Sequence, residues 1–261
     1  TSLTLRILFL VPLFSYSTCL KLNVHLPLRR VNDTTAFKGC LYDSALEANL
    51  ALRDSSSSEQ INFLEKHSPH LTIFMSDFDV QVNDTNKLNQ IFSTLREVVS
   101  SSKNTTCEIE WPIDPNSVGI HGFYAMYPIK KTDCLQKLSD DVVRALNVYI
   151  KRPQEIPDWV NKLPLLKRLR KIWLIRKYGS PNVFGEFDTH VTVGYDETSQ
   201  SNSRRRTLVS ADPGHGIHCK EVAQSICIAA VGVGGSVLQH EVFDIISLGK
   251  KQNESISSVV R

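Results

Sequence analysis

The order in which strand and helix patterns follow one another constrains the fold of this chain more than any other feature. Alternating or continuous apolar runs predict strands, and apolar residues three or four positions apart predict helices. The predicted strands are residues 20–28, 70–75, 107–113, 122–129, 188–195, 223–233 and 240–248. The predicted helices are residues 40–52, 87–99, 132–146 and 163–178. Because strands and helices do not alternate regularly, this order favours an α+β fold with antiparallel sheets over a parallel α/β sheet.

Composition excludes several other classes of protein. The chain has 261 residues, of which 41% are hydrophobic and 22% are charged. It is therefore too apolar and too evenly charged to be disordered. Its 12 glycines and 11 prolines are too few for collagen. The net charge of +3 indicates no particular partner. The length suits one large domain or two lobes.

The first residues resemble a targeting segment. Residues 3–13 are mostly Leu, Ile, Phe and Val, and small residues follow at Ser15, Ser17, Thr18 and Cys19. A run of this length is too short to span a membrane, which takes roughly 20 residues. It is typical of a signal peptide, here residues 1–19 with cleavage near 17–20. The alternative is a buried first strand.

A secreted or lumenal protein also agrees with the glycosylation sequons and gives the cysteines a role. Asn-x-Ser/Thr occurs at Asn32, Asn83, Asn104 and Asn253. In an oxidising compartment, cysteines become candidates for disulfides. Five would remain after cleavage: Cys40, Cys107, Cys134, Cys219 and Cys227. An odd number leaves at least one outside an intrachain disulfide, and the pairing is open. We expect no membrane span in the mature chain.

Two strands share the pattern His-apolar-Thr-apolar. His70 and Thr72 lie in one strand, and His190 and Thr192 lie in another, 120 residues later. Since residues i and i+2 of a strand face the same side, each strand presents an imidazole and a hydroxyl on one face. The intervening apolar residues would then point into the core. Two such strands facing one groove would bring four polar side chains together.

This set of side chains suits phosphodiester cleavage. One group must take a proton from the nucleophile and another must give one to the leaving oxygen, and histidine does both near neutral pH. Threonine hydroxyls can donate hydrogen bonds to phosphoryl oxygens. The scheme requires no metal and no cofactor. Which histidine is the acid and which the base is left open by the sequence.

With these motifs, the sequence resembles the 2H phosphoesterase superfamily, which includes the 2'-5' RNA ligase-like proteins and the cyclic nucleotide phosphodiesterases. The resemblance covers roughly residues 20–250, leaving 251–261 as a polar C-terminal tail. It implies two pseudo-symmetric α+β lobes with antiparallel sheets and a groove between them. It further implies that His70 and His190 are the acid–base pair and that Thr72 and Thr192 bind phosphate. The implied partner is a nucleotide or RNA-derived substrate with a 2',3'-cyclic phosphate or a 2'-5' linkage.

Three alternatives to this enzyme remain open. In the first, the two histidines are structural residues of a half-buried sheet, although their matching contexts argue against that. A secreted protein on the same scaffold could bind a phosphate-containing ligand without turning it over. An interaction domain with no groove would place the two histidines far apart.

Several further features have an ordinary structural interpretation beside a functional one. The segment Asp212–Cys219 is read as a surface loop rather than a zinc site, because a fourth ligand is missing. Seven basic residues between Lys162 and Lys177 indicate a solvated helix face or a positive wall that attracts phosphate. Gly232–Gly235 predicts a turn. Asp188 and Asp196 flank the second motif and could orient an imidazole.

Overall fold

A computed structural model describes residues 19–28, 40–101, 106–111, 119–198 and 219–248 of this chain. Nine strands are described, all in antiparallel pairs. They are β1 (Leu20–Pro27), β2 (His70–Phe78), β3 (Glu108–Glu110), β4 (Gly119–His121), β5 (Tyr124–Pro128), β6 (His190–Tyr195), β7 (Lys220–Val222), β8 (Ser225–Val231) and β9 (Val237–Ser247). The five α-helices described are α1 (Cys40–Ser55), α2 (Thr85–Ser101), α3 (Asp133–Leu146), α4 (Asp158–Asn161) and α5 (Leu165–Tyr178). The predicted α+β class with antiparallel sheets is confirmed.

Seven strands form one sheet in the order β4-β5-β6-β2-β1-β8-β9. The two halves that the sequence predicts as lobes are thus parts of a continuous sheet. They meet at its centre, where β2 and β6 are joined in register at Leu71 and Val191. Both of these side chains are fully buried. The junction places the two His-x-Thr strands side by side.

Helices cover one face of this sheet. Helix α1 packs on β6, α3 packs on β2, and α2 packs on α3 and β9. The buried apolar residues of β2, β6 and these helices form one core, which includes Ile73, Val193 and Leu95. Thr132 or Asp133 is expected from the sequence to cap α3. Thr132 is the cap, because its side chain accepts a hydrogen bond from the Leu135 backbone N–H. The opposite face of the sheet carries the motifs.

Several predicted boundaries are corrected by the structure. In the described segment 106–111, the predicted strand 107–113 is represented by the three residues of β3, which leave the main sheet and pair with β7. Residues 112 and 113 lie outside the described residues. Strand β7 was not predicted, because three residues are too few to show an alternation. The predicted helix 163–178 begins two residues later, since Pro164 occupies its N-cap, and it ends at Gly179 in the left-handed conformation.

Two disulfides tie the small β3/β7 sheet to the helices. Cys107, just before β3, is bonded to Cys134 in α3, and Cys219, just before β7, is bonded to Cys40 at the start of α1. Cys227 is buried in β8 and belongs to neither bond. The expectation that one of the five mature cysteines stays outside the disulfides agrees with this arrangement.

Candidate active site

The register of β2 and β6 places the two motifs on one face. Directly opposed residues of an antiparallel pair share a face. With Leu71 opposite Val191, His70 falls opposite Thr192 and Thr72 falls opposite His190. The two histidines are then diagonal neighbours, a relation that separates residues by about 7–8 Å. The four side chains predicted from the sequence therefore surround a single point at the centre of the sheet.

The same irregularity follows each motif. In β2, the pairing with β1 skips Ile73, so that Ile73 and Phe74 are both buried and Met75 returns to the motif face. In β6, the pairing with β5 skips Val193, and Tyr195 returns in the same way. Such a bulge adds one residue and bends its strand. This repetition relates the two halves of the sheet by a local pseudo-two-fold.

Asn23 of β1 links the members of the first motif. Its amide Nδ2 donates to His70 Nε2 at 3.2 Å, to Thr72 Oγ1 at 3.1 Å and to the Gly235 carbonyl at 3.4 Å. The amide is fully buried, and its Oδ1 has no hydrogen-bond partner among the described residues. Asn23 therefore holds the imidazole and the hydroxyl in fixed positions while one buried acceptor is left over.

The contacts of His70 define its tautomer. Nδ1 lies 2.8 Å from the Ser68 carbonyl, which can only accept a hydrogen bond, so Nδ1 carries the proton. Nε2 is left with its lone pair and accepts from Asn23. Burial lowers the pKa of His70 to about 4, and repulsion by His190 contributes. His70 is thus a neutral imidazole at neutral pH, with an accepting nitrogen.

His190 has a different environment. Its Nδ1 lies 3.7 Å from the Asp188 carboxylate, within ion-pair distance but without a hydrogen-bond partner among the described residues. Burial lowers the pKa of His190, while the Asp188 charge opposes this shift and His121 adds to it. Asp188 therefore has the orienting position predicted as one alternative. Asp196 does not, because its carboxylate accepts hydrogen bonds from Ser56, Ser58 and Thr198.

A second buried histidine packs against the first. His25 lies opposite Thr72 in β1, and its ring meets the His70 ring edge-on at 5.0 Å between centroids. Burial, followed by repulsion from His70, lowers the pKa of His25 to about 3. Neither His25 nor Asn23 was predicted as a site residue. The signal was present in the alternation of β1, which sets Asn23 and His25 against Leu22, Val24 and Leu26.

The glycine-rich turn borders the site. The predicted turn at Gly232–Gly235 is confirmed as a short 3-10 turn between β8 and β9. Gly234 has a φ of 61°, and a Cβ there would lie 2.6 Å from Cγ of Tyr195. Gly235 places its carbonyl beside Asn23 and lies next to Met75. Glycine is required at 234 by its close approach to Tyr195 and its positive φ, and at 235 by its φ of 77°.

We expect stability to fall in mild acid because burial lowers the pKa of several histidines, most of all that of His25 and His70. Both pKa values lie below the usual 6.5, so the unfolded chain takes up protons more readily than the folded chain. Stability is then complete above about pH 6.5 and is lost as the pH falls towards 4, by up to about 1.4 kcal/mol per pH unit for each histidine. Denaturant unfolding at a series of pH values measures this slope.

Matched variants isolate the cause of that slope. His25→Phe should reduce the slope between about pH 6.5 and about pH 4, leaving the contribution of His70. His240→Phe, on an exposed position of β9, should leave it unchanged. The buried carboxylate of Asp196 does not account for a loss of stability between about pH 6.5 and about pH 4. Burial raises the pKa of Asp196, but hydrogen bonds from Ser58, Thr198 and Ser56 outweigh it and lower the pKa, so Asp196 acts only below its usual 3.8. An unchanged slope in His25→Phe would contradict the assignment.

Two other predicted sites have partial or no description in the structure. Residues 212–218, which contain the two histidines of the zinc alternative, lie outside the described residues, as do Asn32, Asn104 and Asn253. Within the described part, one group of three metal-type ligands occurs, Cys40, Cys219 and Glu221, and its two sulfurs form a disulfide. Asn83 is exposed in the turn before α2. The glycosylation of Asn83 remains a prediction.

A comparison with known protein families identifies the family of this chain. A family described as "Protein of unknown function (DUF1045)" matches residues 83–227, more than half of the chain. The chain belongs to the DUF1045 family. The matched part of this DUF1045 protein contains the second motif, at His190 and Thr192, but begins after the first motif, at His70 and Thr72. No curated protein matches the sequence.

Solved structures give distant matches to this DUF1045 protein. Usb1 of Kluyveromyces marxianus is 12% identical, over 87% of this chain and 98% of that one, with a TM-score of 0.42. The same protein with uridine monophosphate gives 12% identity, the same coverage and a TM-score of 0.43. E. coli LigT complexed with NADP+ is 10% identical, over 90% of this chain and 100% of that one, with a TM-score of 0.42.

Proposed function

We propose that this protein is a phosphodiesterase that cleaves a 2',3'-cyclic phosphate or a 2'-5' linkage of a nucleotide or RNA, without a metal. The observation that carries the proposal is the diagonal pairing of His70 and His190 across the β2/β6 junction, with Thr72 and Thr192 at the other two corners. A phosphoryl group at the centre would have an imidazole on two sides and a hydroxyl on the other two.

The different environments of the two histidines support different roles for them. His70 Nε2 is an acceptor, because Nδ1–H is bound to the Ser68 carbonyl, and so His70 is the general base. His190 has the Asp188 carboxylate near Nδ1, which favours its protonated form, and so His190 is the general acid. Bound phosphate is negative and would raise the pKa of both imidazoles towards neutrality. This brings each closer to the value that acid–base catalysis needs.

The reaction follows from these roles. His70 Nε2 releases the hydrogen bond from Asn23 and takes a proton from water as the water oxygen bonds to phosphorus. The bond from phosphorus to one ribose oxygen of the cyclic phosphate breaks, and that oxygen receives the proton of His190. Thr72 and Thr192 donate hydrogen bonds to the non-bridging oxygens, whose charge increases in the transition state. The product is a ribose phosphomonoester, and proton exchange with solvent restores both histidines.

A nucleotide substrate is supported by aromatic rings on the same face. Tyr195 follows the second bulge, and Tyr124 is its partner in β5, with the ring centroids 4.8 Å apart. A hydrogen bond to Glu197 raises the pKa of Tyr195 to about 12, so its ring is the neutral phenol. Stacking of a base on an aromatic ring is sequence-tolerant and contributes about 1–3 kcal/mol.

Turnover tests the function. The purified chain should convert a 2',3'-cyclic nucleotide or a 2'-5' dinucleotide to a monoester, detected by chromatography of the products, with chelator added to exclude a contaminating metal enzyme. Saturable binding of these compounds without any product would favour the alternative of a non-catalytic phosphate-binding protein. Neither binding nor turnover would favour an interaction domain and reject the proposal.

We expect Asn23→Asp to shift the pH dependence of the reaction. A carboxylate in place of the amide would stabilise the imidazolium of His70 and raise its pKa above the present value of about 4. The acid limb of the kcat/KM profile should move to higher pH, by about one unit or more. Values of kcat/KM measured at a series of pH values from about 3.5 to about 9 give the profile.

Asn62→Asp is the matched control for this shift. Asn62 is also buried, but its Nδ2 donates to the Glu65 carboxylate and its Oδ1 accepts from the Leu64 and Glu65 backbone N–H groups, so that its side chain does not bond to His70. It should leave the acid limb in place. A limb that is the same in Asn23→Asp and the parent protein would show that His70 is not the base, whether or not the variant is slower.

The compartment is also a proposal. Two disulfides are compatible with an oxidising environment. A signal peptide cleaved near residues 17–20 would leave β1, which begins at Leu20, intact. We therefore propose a secreted or lumenal protein. Alkylation of the four disulfide-bonded cysteines before and after reduction tests this proposal.

A further inference from the structure

Helix α5 exposes apolar side chains on the side that faces away from the core. Its buried residues are Leu174 and Ile175. Four large apolar residues are exposed on it: Leu165 at 58%, Leu166 at 81%, Leu169 at 54% and Trp173 at 53%. At about 100° per residue these four fall within one arc of about 100°. A surface helix normally turns polar residues outwards, so packing among the described residues does not explain this arc.

Basic residues surround this arc, which we call the α5 arc and define as Leu165, Leu166, Leu169 and Trp173. Residues 162–178 contain seven basic residues and no acid. They are Lys162, Lys167, Arg168, Arg170, Lys171, Arg176 and Lys177. Around the helix, Arg176 falls within the arc, Lys177 and Arg170 follow one border, and Arg168 follows the other. The Lys177 ammonium lies 4.9 Å from the centroid of the Trp173 ring.

Part of this charge is already paired. Arg170 and Lys171 both form ion pairs with Glu186, at 2.9 and 3.0 Å. Lys171 also donates to the Pro181 carbonyl and to Asn182. These contacts fix α5 against the segment that leads into β6. The arc is thus presented on a helix whose inner side is anchored.

We propose that the α5 arc binds this protein to the surface of an anionic membrane. The leucines and Trp173 would enter the headgroup region, and the flanking cations would contact lipid phosphates. An apolar face with basic borders is the pattern of helices that lie in the plane of a membrane interface, where tryptophan is also favoured. With 14 residues α5 is about 21 Å long, and no described helix is long and apolar enough to span a bilayer.

Other occupants fit the arc less well. A second copy of the chain docked through the same arc would bring the basic borders of two helices against each other, and this repulsion opposes a symmetric dimer. RNA would match the charge but not the three exposed leucines, which offer neither hydrogen bonds nor aromatic faces. An anionic lipid surface satisfies both the charge and the apolar area.

Vesicle binding tests this proposal independently of catalysis. The whole chain should co-sediment with vesicles of phosphatidylcholine and phosphatidylserine, should not co-sediment with phosphatidylcholine alone, and should be released by salt. Leu166→Gln with Leu169→Gln should lower the partition coefficient by about tenfold or more, because each leucine loses its apolar transfer. Both positions are exposed, so the variant should melt at the parent temperature.

Two further variants locate the contact. Val148→Gln changes an exposed apolar residue outside α5 and should leave vesicle binding unchanged. The blue shift of tryptophan emission on anionic vesicles should disappear in Trp173→Phe. Equal binding by the double leucine variant, or no binding to anionic vesicles, would overturn the proposal. So would a dimer in sedimentation equilibrium that the double variant abolishes, or binding of single-stranded RNA in place of vesicles.

Discussion

Alanine at His70 or at His190 is expected to lower kcat/KM for a 2',3'-cyclic nucleotide by about 10²–10⁴-fold each. The first change removes the Nε2 that accepts the proton of water, and the second removes the donor to the leaving oxygen. Because both act in one transition state, the double variant should lose much less than the product of the two single losses. Steady-state rates of the four proteins measure these effects.

The control for this prediction is His240→Ala. His240 is exposed on β9, away from the motif strands in the sheet order, and its replacement should change kcat/KM by less than about twofold. The histidine variants should also bind the product with nearly the parent affinity if Thr72 and Thr192 hold the phosphate. Parent-like rates in both His70→Ala and His190→Ala would exclude the mechanism.

Removing the Cys40–Cys219 disulfide should cause a larger loss of stability than removing the Cys107–Cys134 disulfide. The two residues are 179 positions apart, and the loop-closure argument gives about 5 kcal/mol for a loop of this length. Serine at both positions should lower the melting temperature by about 10 °C or more. The Cys107–Cys134 disulfide closes a separation of 27 residues, for which the same argument gives about 3.5 kcal/mol.

Comparing the two serine pairs provides the internal control, since each removes one disulfide that anchors the β3/β7 sheet. A larger loss for the shorter loop would contradict the entropic explanation. In denatured protein taken from its own cells, these four cysteines should resist alkylation until a reductant is added. Immediate alkylation would exclude both disulfides and with them the proposed oxidising compartment.

Sequence patterns predicted the motif strands well because their signal is local. Leu71 and Val191 alternate with polar residues, and the alternation alone assigns each side chain to a face. The pairing of β2 with β6 was not available from the sequence. It depends on which strand edges remain open after the helices pack, and a separation of 120 residues has no local signature.

The bulges were missed for a related reason. Ile73 and Phe74 are consecutive buried residues in β2. Val193 and Gly194 are consecutive buried residues in β6. Two adjacent buried positions break a period of two, but the same pattern occurs in strands that are buried on both faces. The bulge matters because it returns Tyr195 to the motif face, and simple alternation would have placed Tyr195 in the core.

The rest of the site comes from a strand that carries no motif. Asn23 and His25 became site residues only when β1 was found beside β2. The disulfide partners were unpredictable in the same sense, because five cysteines permit many pairings and spacing does not choose between them. In both cases, the sequence predicts the local conformation but not which residues, distant in sequence, are in contact.

The interior position of β1 sets the order in which this protein can be completed during synthesis. β1 lies between β2 and β8, with Asn23 opposite Ala229. On the ribosome, β1 and β2 can pair early, but the second edge of β1 stays open until β8 has emerged. An open edge of this kind recruits other strands, and pairings this distant in sequence form slowly. The Gly235 carbonyl that meets Asn23 arrives later still, so a nascent chain holds both histidine motifs well before it can assemble their surroundings.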